Sequence, residues 1–293
     1  MTQGFIAIDW GSTHLRAWLY REGVCIDERR CESGIAHPAG KTSAEIFDTV
    51  TNGWQQEEFP VVMAGMVGSN LGLMPAAYLP CPTRLDELVH HLTQVKGNQW
   101  IVPGLSINHA GNCNVMRGEE TQLLGAWKTR PAPFYIMPGT HCKWVAAEGG
   151  VIHDFRTVMT GELHNLLMNK SLIGAGLPQQ HMDHEAFLAG AQKGLSGTGG
   201  LSRLFEVRAS HVLGNMPKEL VSEYLSGVLI GGEIAEMQAL YGLQTLRDVT
   251  IIANPVLSQR YINVLEMADI TSTFLEGDDA FLAGIRNIIH ELG

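Results

Sequence analysis

The sequence lacks a cysteine framework. Its five cysteines are scattered through 293 residues without a C-x-x-C pair, so neither a disulfide-stapled fold nor a zinc site of closely spaced thiols is predicted. No run reaches the roughly 18 apolar residues that a membrane span needs. The first residues also do not form a basic-then-apolar leader. We therefore expect reduced thiols, a cytoplasmic location and no membrane partner.

Positive charge is scarce. Twenty Lys and Arg residues stand against 30 Asp and Glu residues, which gives a net charge of −10 and a pI of about 5.6. A chain this acidic lacks the broad basic surface that nucleic-acid binding usually requires. A small anion is still an acceptable ligand, because a local nest of backbone N–H groups can bind it.

One short string is present twice. "IDWGSTHLRAW" covers residues 8–18, and the shorter "MPGTHCKW" covers residues 137–144. Each lies in a predicted three-stranded antiparallel meander, the first at 5–10, 14–20 and 23–31 and the second at 134–139, 140–146 and 151–159. The glycines of the two meanders also match in spacing: Gly11, Gly23 and Gly34 in the first, Gly139, Gly150 and Gly161 in the second. This register predicts a duplicated unit.

The rest of the chain alternates between helical and strand patterns, which predicts an α/β fold. Strand patterns cover 60–69 and 248–253, and a flexible loop is expected at 194–203. The helical patterns cover 42–56, 83–95, 118–128, 161–172, 183–194, 217–241, 255–268 and 278–291.

The repeated strings are suited to phosphate binding. Gly11, Ser12 and Thr13 form a turn whose N–H and hydroxyl groups can surround an anion, and Gly139 and Thr140 repeat it. Asp9 ends a buried strand beside the first turn, where its carboxylate suits Mg²⁺ held through water. The cations beside the two turns are Arg16 and Lys143. A tight turn without function is the alternative for the first copy, and the second copy favours the phosphate interpretation.

Residues 9–16 resemble the first phosphate motif of the actin, Hsp70 and sugar-kinase superfamily, and Gly139-Thr140-His141 resembles the second. The resemblance implies two ribonuclease-H-like domains with an interdomain nucleotide cleft for ATP and Mg²⁺. We expect the domains at 1–130 and 131–277, with a helix at 278–293 returning to the first. The adenosine motif of the superfamily corresponds to 249–261, where Asn254 replaces part of its glycine-rich turn.

The resemblance also places a catalytic base. Sugar kinases of this superfamily carry Gly-Asp at the start of a helix before the second phosphate hairpin, and this chain has Gly118-Glu119-Glu120 there. Glu119 is the expected base and Glu120 is the alternative. The structural interpretation is that both are acids favoured at a helix start by the helix dipole.

An acidic substrate would need hydrogen-bond donors. Arg117 and the turn at 64–70 offer them, with substrate contacts expected from Gly65, Met66, Gly68, Ser69 and Asn70.

Over nearly its whole length the chain resembles the 2-dehydro-3-deoxygalactonokinases. The strings that carry the likeness are "IAIDWGSTHLRAWLY", "VVMAGMVGSN", "NVMRGEETQLLGA", "MPGTHCKWV", "HDFRTVMTGELH", "FEVRASHVLG" and "LSGVLIGGEIA". The implied reaction moves the ATP γ-phosphoryl group to the C6 hydroxyl of a small keto sugar acid. Two alternatives stay open, a kinase of another sugar or sugar acid and a non-catalytic switch of the actin or Hsp70 type, and a homodimer is also left open.

Overall fold

The computed structural model describes residues 4–32, 34–35, 40–54, 58–197 and 200–292. The strands within these ranges are β1 (Gly4–Trp10), β2 (Leu15–Arg21), β3 (Val24–Cys31), β4 (Val61–Gly65), β5 (Tyr78–Pro80), β6 (Thr83–Arg84), β7 (Thr93–Lys96), β8 (Gln99–Ile101), β9 (Gly104–His109), β10 (Asn112–Met116), β11 (Phe134–Met137), β12 (Cys142–Glu148), β13 (Val151–Val158), β14 (Asp248–Ala253) and β15 (Thr271–Glu276).

The α-helices are α1 (Ser43–Thr51), α2 (Glu119–Thr129), α3 (Thr160–Lys170), α4 (His184–Leu195), α5 (Gly200–Val212), α6 (Val221–Tyr241), α7 (Pro255–Met267) and α8 (Gly277–Leu292). Short 3₁₀ helices cover Met66–Gly68, Leu85–His91 and Lys218–Leu220. The start of α1 has a full capping box, because the Thr42 hydroxyl accepts from the Glu45 N–H and the Glu45 carboxylate accepts from the Thr42 N–H.

The described residues form two compact units. Unit 1 contains 1–131, 146–155 and 276–293, and unit 2 contains 132–145 and 156–275. This division differs from the expected domains, because 146–155 belong to unit 1. The reason is local pairing: the start of β13 pairs with β6, and the Leu85 N–H donates to the Gly150 carbonyl oxygen at 2.8 Å.

The main sheet of unit 1 has the strand order β3-β2-β1-β4-β8-β7. Strands β1, β2 and β3 run antiparallel in sequence, which confirms the predicted first meander. Strand β4 lies parallel to β1 on the other side, and β8 lies parallel to β4. Strand β1 is buried from Gly4 to Ile8, as expected for a central strand between two neighbours.

The sheet of unit 2 repeats this order. The second six-stranded sheet has the order β15-β14-β11-β12-β13-β6, and β14 lies parallel to β11 as β4 lies parallel to β1. The series β3-β2-β1-β4-β8 therefore has a counterpart strand by strand in unit 2. A duplicated topology is what the matching glycines of the two meanders predicted.

Two helices of unit 1 touch backbone to backbone. A Cβ atom at Gly125 of α2 would lie 1.8 Å from the Ala280 carbonyl oxygen, and one at Gly284 of α8 would lie 2.0 Å from the Thr121 carbonyl oxygen. No side chain fits at either position. This contact ties the segment after residue 276 to unit 1, on the helix that carries Glu119 and Glu120.

Two predicted segments differ in the structure, and one small sheet is not predicted. Residues 83–95 were expected to be one α-helix, but a 3₁₀ helix lies between β6 and β7, with Leu85 and Leu88 buried at the three-residue spacing of that helix. The loop expected at 194–203 ends early, because α5 begins at Gly200; residues 198–199 lie outside the described ranges. The small sheet β10-β9-β5 had no prediction.

The contact between α2 and α8 predicts a large effect of one methyl group. Replacing Gly284 by Ala forces a Cβ into the Thr121 backbone, so the free energy of unfolding should fall by about 1–3 kcal/mol. Gly232→Ala is the matched control, since a Cβ built there meets no described atom within 4 Å beyond the adjacent backbone of its own helix, and it should be neutral or stabilising by up to about 1 kcal/mol. Urea unfolding of both variants tests this. Equal stabilities would contradict the close helix contact.

Candidate functional site

The first hairpin of unit 1 exposes the residues that the sequence predicts for phosphate binding. The turn between β1 and β2 is closed by the Gly11 N–H, which donates to the His14 carbonyl oxygen at 2.9 Å. Ser12 and Thr13 are exposed at its tip. Gly34 packs beneath the turn and donates its N–H to the Thr13 carbonyl oxygen at 3.0 Å. The hydroxyl groups of the turn therefore face solvent at the end of a buried strand.

A row of charged side chains crosses the sheet beside this turn. Asp9, Arg16 and Arg30 are direct partners on β1, β2 and β3, so they share one face. The Arg16 guanidinium donates to the Asp9 carboxylate and also to Asp278 in the first turn of α8. Arg30 donates to the other oxygen of Asp278 at 2.8 Å. The sequence does not single out Asp278, whose one signal is the Asp-Asp pair at a predicted helix start.

The charges around Asp9 set its protonation behaviour. Burial raises the pKa of the Asp9 carboxyl and the charges of Asp278 and Glu119 add to this rise, whereas Arg16 opposes it. Although burial would lower the pKa of Arg16, Asp9 and Asp278 raise it above its ordinary value. A negative group with a nearby cation is thus present where the resemblance places the magnesium-binding carboxylate.

Two adjacent glutamates open helix α2 in different environments. Glu120 is fully buried, and both its oxygens accept from the Gly118 N–H, at 2.9 and 2.7 Å. Glu119 is partly exposed, accepts from the Arg117 N–H at 3.0 Å, and raises the pKa of Asp9 by its charge. The structure therefore brings Glu119 into the electrostatic neighbourhood of Asp9, while Glu120 is turned into the core.

Two glycines allow this proximity. Gly65 has φ of 93°, and a Cβ there would lie 2.6 Å from the Trp10 carbonyl oxygen. Gly118 has φ of 108°, and a Cβ there would lie 3.1 Å from the Gly65 Cα atom. The ends of β1 and β4 and the start of α2 are thus stacked backbone on backbone, which places Asp9 and Glu119 at one location.

The turn after β4 contains the predicted substrate residues. Gly65 leads into the 3₁₀ helix Met66–Gly68, which closes with the Ser69 N–H donating to the Met66 carbonyl oxygen at 3.0 Å. The Ser69 hydroxyl accepts from the Leu71 N–H at 3.3 Å, and Asn70 is exposed. Because Gly118 touches Gly65, the turn and Glu119 share one part of unit 1.

Arg117 lies against the same turn. Its Nη1 atom would be 2.8 Å from a Cβ at Gly68, and its guanidinium carbon lies 4.1 Å from the Tyr78 ring centroid. Nη2 donates to the Ala76 carbonyl oxygen at 2.7 Å. Nε and Nη1 are buried and have no hydrogen-bond partner in the described part of the chain. A guanidinium with unsatisfied donors next to a glycine turn is suited to binding an anionic substrate.

The second hairpin, in unit 2, is supported by helix α3. The Glu162 N–H donates to the Thr140 carbonyl oxygen at 3.0 Å, and a Cβ at Gly161 would lie 2.5 Å from the Gly139 carbonyl oxygen. Thr140 and His141 are exposed, and His141 pairs with the Glu162 carboxylate. The predicted phosphate residues thus lie directly against the first turn of a helix, whose dipole favours anions.

A buried carboxylate fixes the elements around this hairpin. Glu233 of α6 accepts from Trp144 Nε1 at 2.6 Å, from the Tyr261 hydroxyl at 2.8 Å and from the Thr160 hydroxyl. Burial raises its pKa, and these donors oppose the rise. Lys143, predicted to contact the nucleotide, is buried within β12. Glu233 was missed because it is one of three glutamates in a largely apolar helix, and nothing in the local sequence distinguishes it from the other two.

A cavity of about 220 Å³ lies beside the second hairpin. Its wall combines Gly139, Gly161, His164, Ser226, Arg260 and Tyr261 with apolar residues of α6 and α7. Arg260 donates to both oxygens of Glu223 at 2.7 and 2.9 Å. Asn254 does not line the cavity, because its side chain caps α7 by accepting from the Leu257 N–H at 2.9 Å.

Among the residues that the structure describes, no group of three or more His, Cys, Asp or Glu side chains is arranged to hold a metal ion. Within the same ranges, no helix is long and apolar enough to cross a membrane.

Three comparisons identify similar proteins. A family model described as 2-keto-3-deoxy-galactonokinase matches residues 9–288. The 2-dehydro-3-deoxygalactonokinase of Escherichia coli strain K12 is 52% identical over 290 residues, which cover 99% of each chain. A crystal structure from Sinorhizobium meliloti, assigned to a 2-dehydro-3-deoxygalactonokinase protein, has a TM-score of 0.89 at 29% identity and covers 98% of this chain and 99% of that chain.

A more distant likeness extends the fold comparison. The activator of 2-hydroxyisocaproyl-CoA dehydratase from Clostridium difficile has a TM-score of 0.53 at 12% identity, over 98% of this chain and 92% of that chain. At this identity the likeness shows the fold alone. The predicted α/β class is confirmed.

The burial of Glu120 predicts a pH-dependent stability. Burial, and then the charge of Glu119, raises the pKa of Glu120 from 4.5 to about 8. The folded protein therefore keeps this proton up to about pH 8, while the unfolded chain releases it near pH 4.5. The carboxyl group thus destabilises the fold increasingly as the pH rises between these values, and by a constant amount above them.

Glu120→Gln removes this titration, and its amide oxygen can still accept from the Gly118 N–H. The variant should gain unfolding free energy over the wild type as the pH rises through this window, by about 1.4 kcal/mol for each unit by which the folded pKa is raised. Urea unfolding of both proteins at several pH values measures the difference. Parallel pH profiles would contradict the buried carboxyl assignment.

Proposed function

The chain belongs to the 2-keto-3-deoxy-galactonokinase family, and from this membership we propose that it transfers the γ-phosphoryl group of ATP to the C6 hydroxyl of 2-dehydro-3-deoxy-galactonate. It is a kinase acting in galactonate catabolism, as its 52% identity to the E. coli enzyme over 99% of both chains establishes. The position of the hydroxyl and the role of each residue are the proposal. The observation that carries it is the close backbone approach of Trp10, Gly65 and Gly118, which brings the strand end that carries Asp9 next to the start of the helix that carries Glu119.

Glu119 is the proposed general base. Phosphoryl transfer requires a group that accepts the proton of the attacking hydroxyl, and catalysis otherwise depends on positioning and charge. Glu119 is partly exposed and close to Asp9, whereas Glu120 is buried and held by the Gly118 N–H. Only Glu119 is therefore accessible to a substrate hydroxyl, and Glu120 shapes the helix start.

The keto acid is proposed to bind at the turn after β4. Its carboxylate would be neutralised by Arg117 and by N–H groups of the turn at Gly65, Met66 and Gly68, with Ser69 and Asn70 at the hydroxyl groups. Two buried donor atoms of Arg117 without partners in the described part of the chain support this assignment.

The phosphates of ATP are proposed to contact both hairpins. Gly11, Ser12 and Thr13 in unit 1 would donate to phosphate oxygens, and Gly139 and Thr140 would do so in unit 2. Arg16, already close to the turn through its pair with Asp9, would neutralise charge on the transferring group.

The donor set near the first hairpin fits magnesium. The Asp9 carboxylate offers the oxygen ligands that Mg²⁺ prefers, and no group of three or more possible metal ligands is found among the described residues. A single carboxylate suits Mg²⁺, because this ion usually keeps several waters and bridges to phosphates. Asp9 is the residue that would hold it, through water. When bound, Mg²⁺ would neutralise phosphate charge during transfer.

The cavity of about 220 Å³ in unit 2 is the proposed site of the nucleoside. It adjoins Gly139, and its apolar residues of α6 and α7 would cover the base, while the Glu223 and Arg260 pair offers polar contacts. This assignment replaces Asn254, whose side chain is used in the cap of α7.

Two expectations from the sequence stay predictions. The first is a cytoplasmic location, where ATP is present. The second is a homodimer, which a measurement of the mass in solution checks.

The proposed activity predicts a specific turnover. With ATP and Mg²⁺, ADP should be released rapidly in the presence of 2-dehydro-3-deoxy-galactonate, and much more slowly with its gluconate epimer or without an acceptor. A coupled ADP assay measures all three rates, and the product is checked for a 6-phosphate by NMR. Slow ADP release that is independent of the acceptor would contradict the kinase and favour an ATP-dependent switch.

The two glutamates predict different losses of activity. Glu119→Gln removes the proton acceptor, so kcat should fall by about 100-fold or more with a small change in either KM. Glu120→Gln replaces a buried carboxyl group that keeps its proton up to about pH 8 and lies away from the proposed substrate position, so it should change kcat far less. Steady-state kinetics of both variants decide the assignment, and a larger loss in the Glu120 variant would reverse it.

A further inference from the structure

Arg16 has two carboxylate partners from opposite sides. Asp9 is its partner across the sheet from β1, and Asp278 approaches from the first turn of α8. The side chain of Arg16 is 30% exposed, and those of Asp9 and Asp278 are 15% and 16% exposed. The pairs are thus partly withdrawn from solvent, where electrostatic interactions are stronger than at a fully exposed surface.

Hydrogen bonds position the backbone at Asp278. Its N–H donates to the Glu276 carboxylate at 2.7 Å, and the Gly277 carbonyl oxygen accepts from the Gln122 side chain at 3.3 Å. The helix behind it contacts α2 at Gly125 and Gly284 without intervening side chains. Asp278 is therefore fixed to the same framework as Glu119, which starts α2.

The two arginines depend on Asp278 to different degrees. Arg30 donates to Asp278 and also has an ion pair with Glu28. Arg16 donates to Asp278 and to Asp9, the carboxylate proposed for the magnesium site. If Asp9 were the sole partner of Arg16, occupation of Asp9 by a metal-bound nucleotide would leave a partly buried guanidinium without its counter-charge, which is costly.

We propose that Asp278 is a positioning residue for phosphoryl transfer, which holds Arg16 at the first hairpin while Asp9 is engaged by the metal-bound nucleotide. The inference rests on the proposed function, because Asp9 and Arg16 have their roles from it. Asp278 itself contacts neither substrate nor phosphate. It retains one amino group of the guanidinium, so the rest of Arg16 is free to turn from Asp9 to a phosphate oxygen.

The test compares Asp278→Asn with Asp279→Asn. Both variants remove one acid from the first turn of α8 and thus the same favourable interaction with the helix dipole. Asp279 is exposed, and the hydrogen bond described for it is made by its backbone N–H, which donates to the Glu276 carboxylate. Only the first variant removes the acceptor of Arg16 and Arg30, so the difference between the two reports on that contact.

In Asp278→Asn, the Kd of a non-hydrolysable ATP analogue with Mg²⁺ should rise about tenfold, the effect expected for losing a charged partner in a hydrogen bond. The Mg²⁺ concentration for half-maximal turnover should rise with it, and KM for the keto acid should stay within about twofold. Asp279→Asn should match the wild type in all three. Calorimetric titration measures the Kd without turnover.

Three further variants separate the possible failures. Asp278→Glu restores the carboxylate and should recover part of the nucleotide affinity, which a defect of folding in Asp278→Asn would not allow. Asp9→Asn and Arg16→Met test the proposed function itself: wild-type affinity and turnover in both would overturn the hairpin assignment. If those two are impaired but Asp278→Asn behaves as Asp279→Asn does, the positioning role alone is wrong.

Discussion

The candidate site of unit 1 depends on three backbone segments that touch. Trp10, Gly65 and Gly118 are far apart in sequence, yet their main chains are stacked. A Cβ at Gly65 would clash with the Trp10 carbonyl oxygen, and one at Gly118 would lie only 3.1 Å from the Gly65 Cα atom. Both glycines have positive φ, a conformation that other residues adopt at a cost. Because of this contact, the carboxylate at the end of β1, the turn after β4 and the acids at the start of α2 lie together.

Charge pairing then separates the roles of similar residues. Glu119 and Glu120 differ by one position, but the helix turns the second into the core and leaves the first near Asp9. Unit 2 has its own buried acid, Glu233, whose three donors come from a strand and two helices. In both units a fully buried carboxyl group accepts hydrogen bonds from nearby donors, Glu120 in unit 1 and Glu233 in unit 2.

Local patterns were sufficient for much of the fold. The glycine spacing of the two meanders predicted a duplication, and the strand order repeats in unit 2. The run 248–253 was predicted with its bounds, since β-branched residues precede an Asn-Pro helix start. The 3₁₀ helix at Leu85–His91 was mistaken for an α-helix, because apolar residues three apart fit both.

The sequence predicted the site residues that lie in short motifs, but it did not predict the partners that come from distant parts of the chain. Asp9, Arg16 and Glu119 lie in repeated or motif-like segments, so the sequence singles them out. Asp278 lies 262 positions from Arg16, and nothing short-range indicates that they meet. The sequence also does not show which side chains are buried or already in use. Asn254 and Lys143 are residue types that can contact a nucleotide, but Asn254 caps a helix and Lys143 is buried inside a strand.

The position of α8 in the chain has a consequence for how the protein forms. Unit 1 begins with β1, but α8 follows the whole of unit 2 in sequence. During translation, the glycine face of α2 and the side chain of Arg16 must wait for a helix that the ribosome makes last among these elements, although domains generally fold in the order of their synthesis. The segments of unit 2 all precede α8 in the chain. The part of the protein that emerges first is therefore the part that finishes folding last, and a nascent chain has a complete first hairpin site only after α8 has docked.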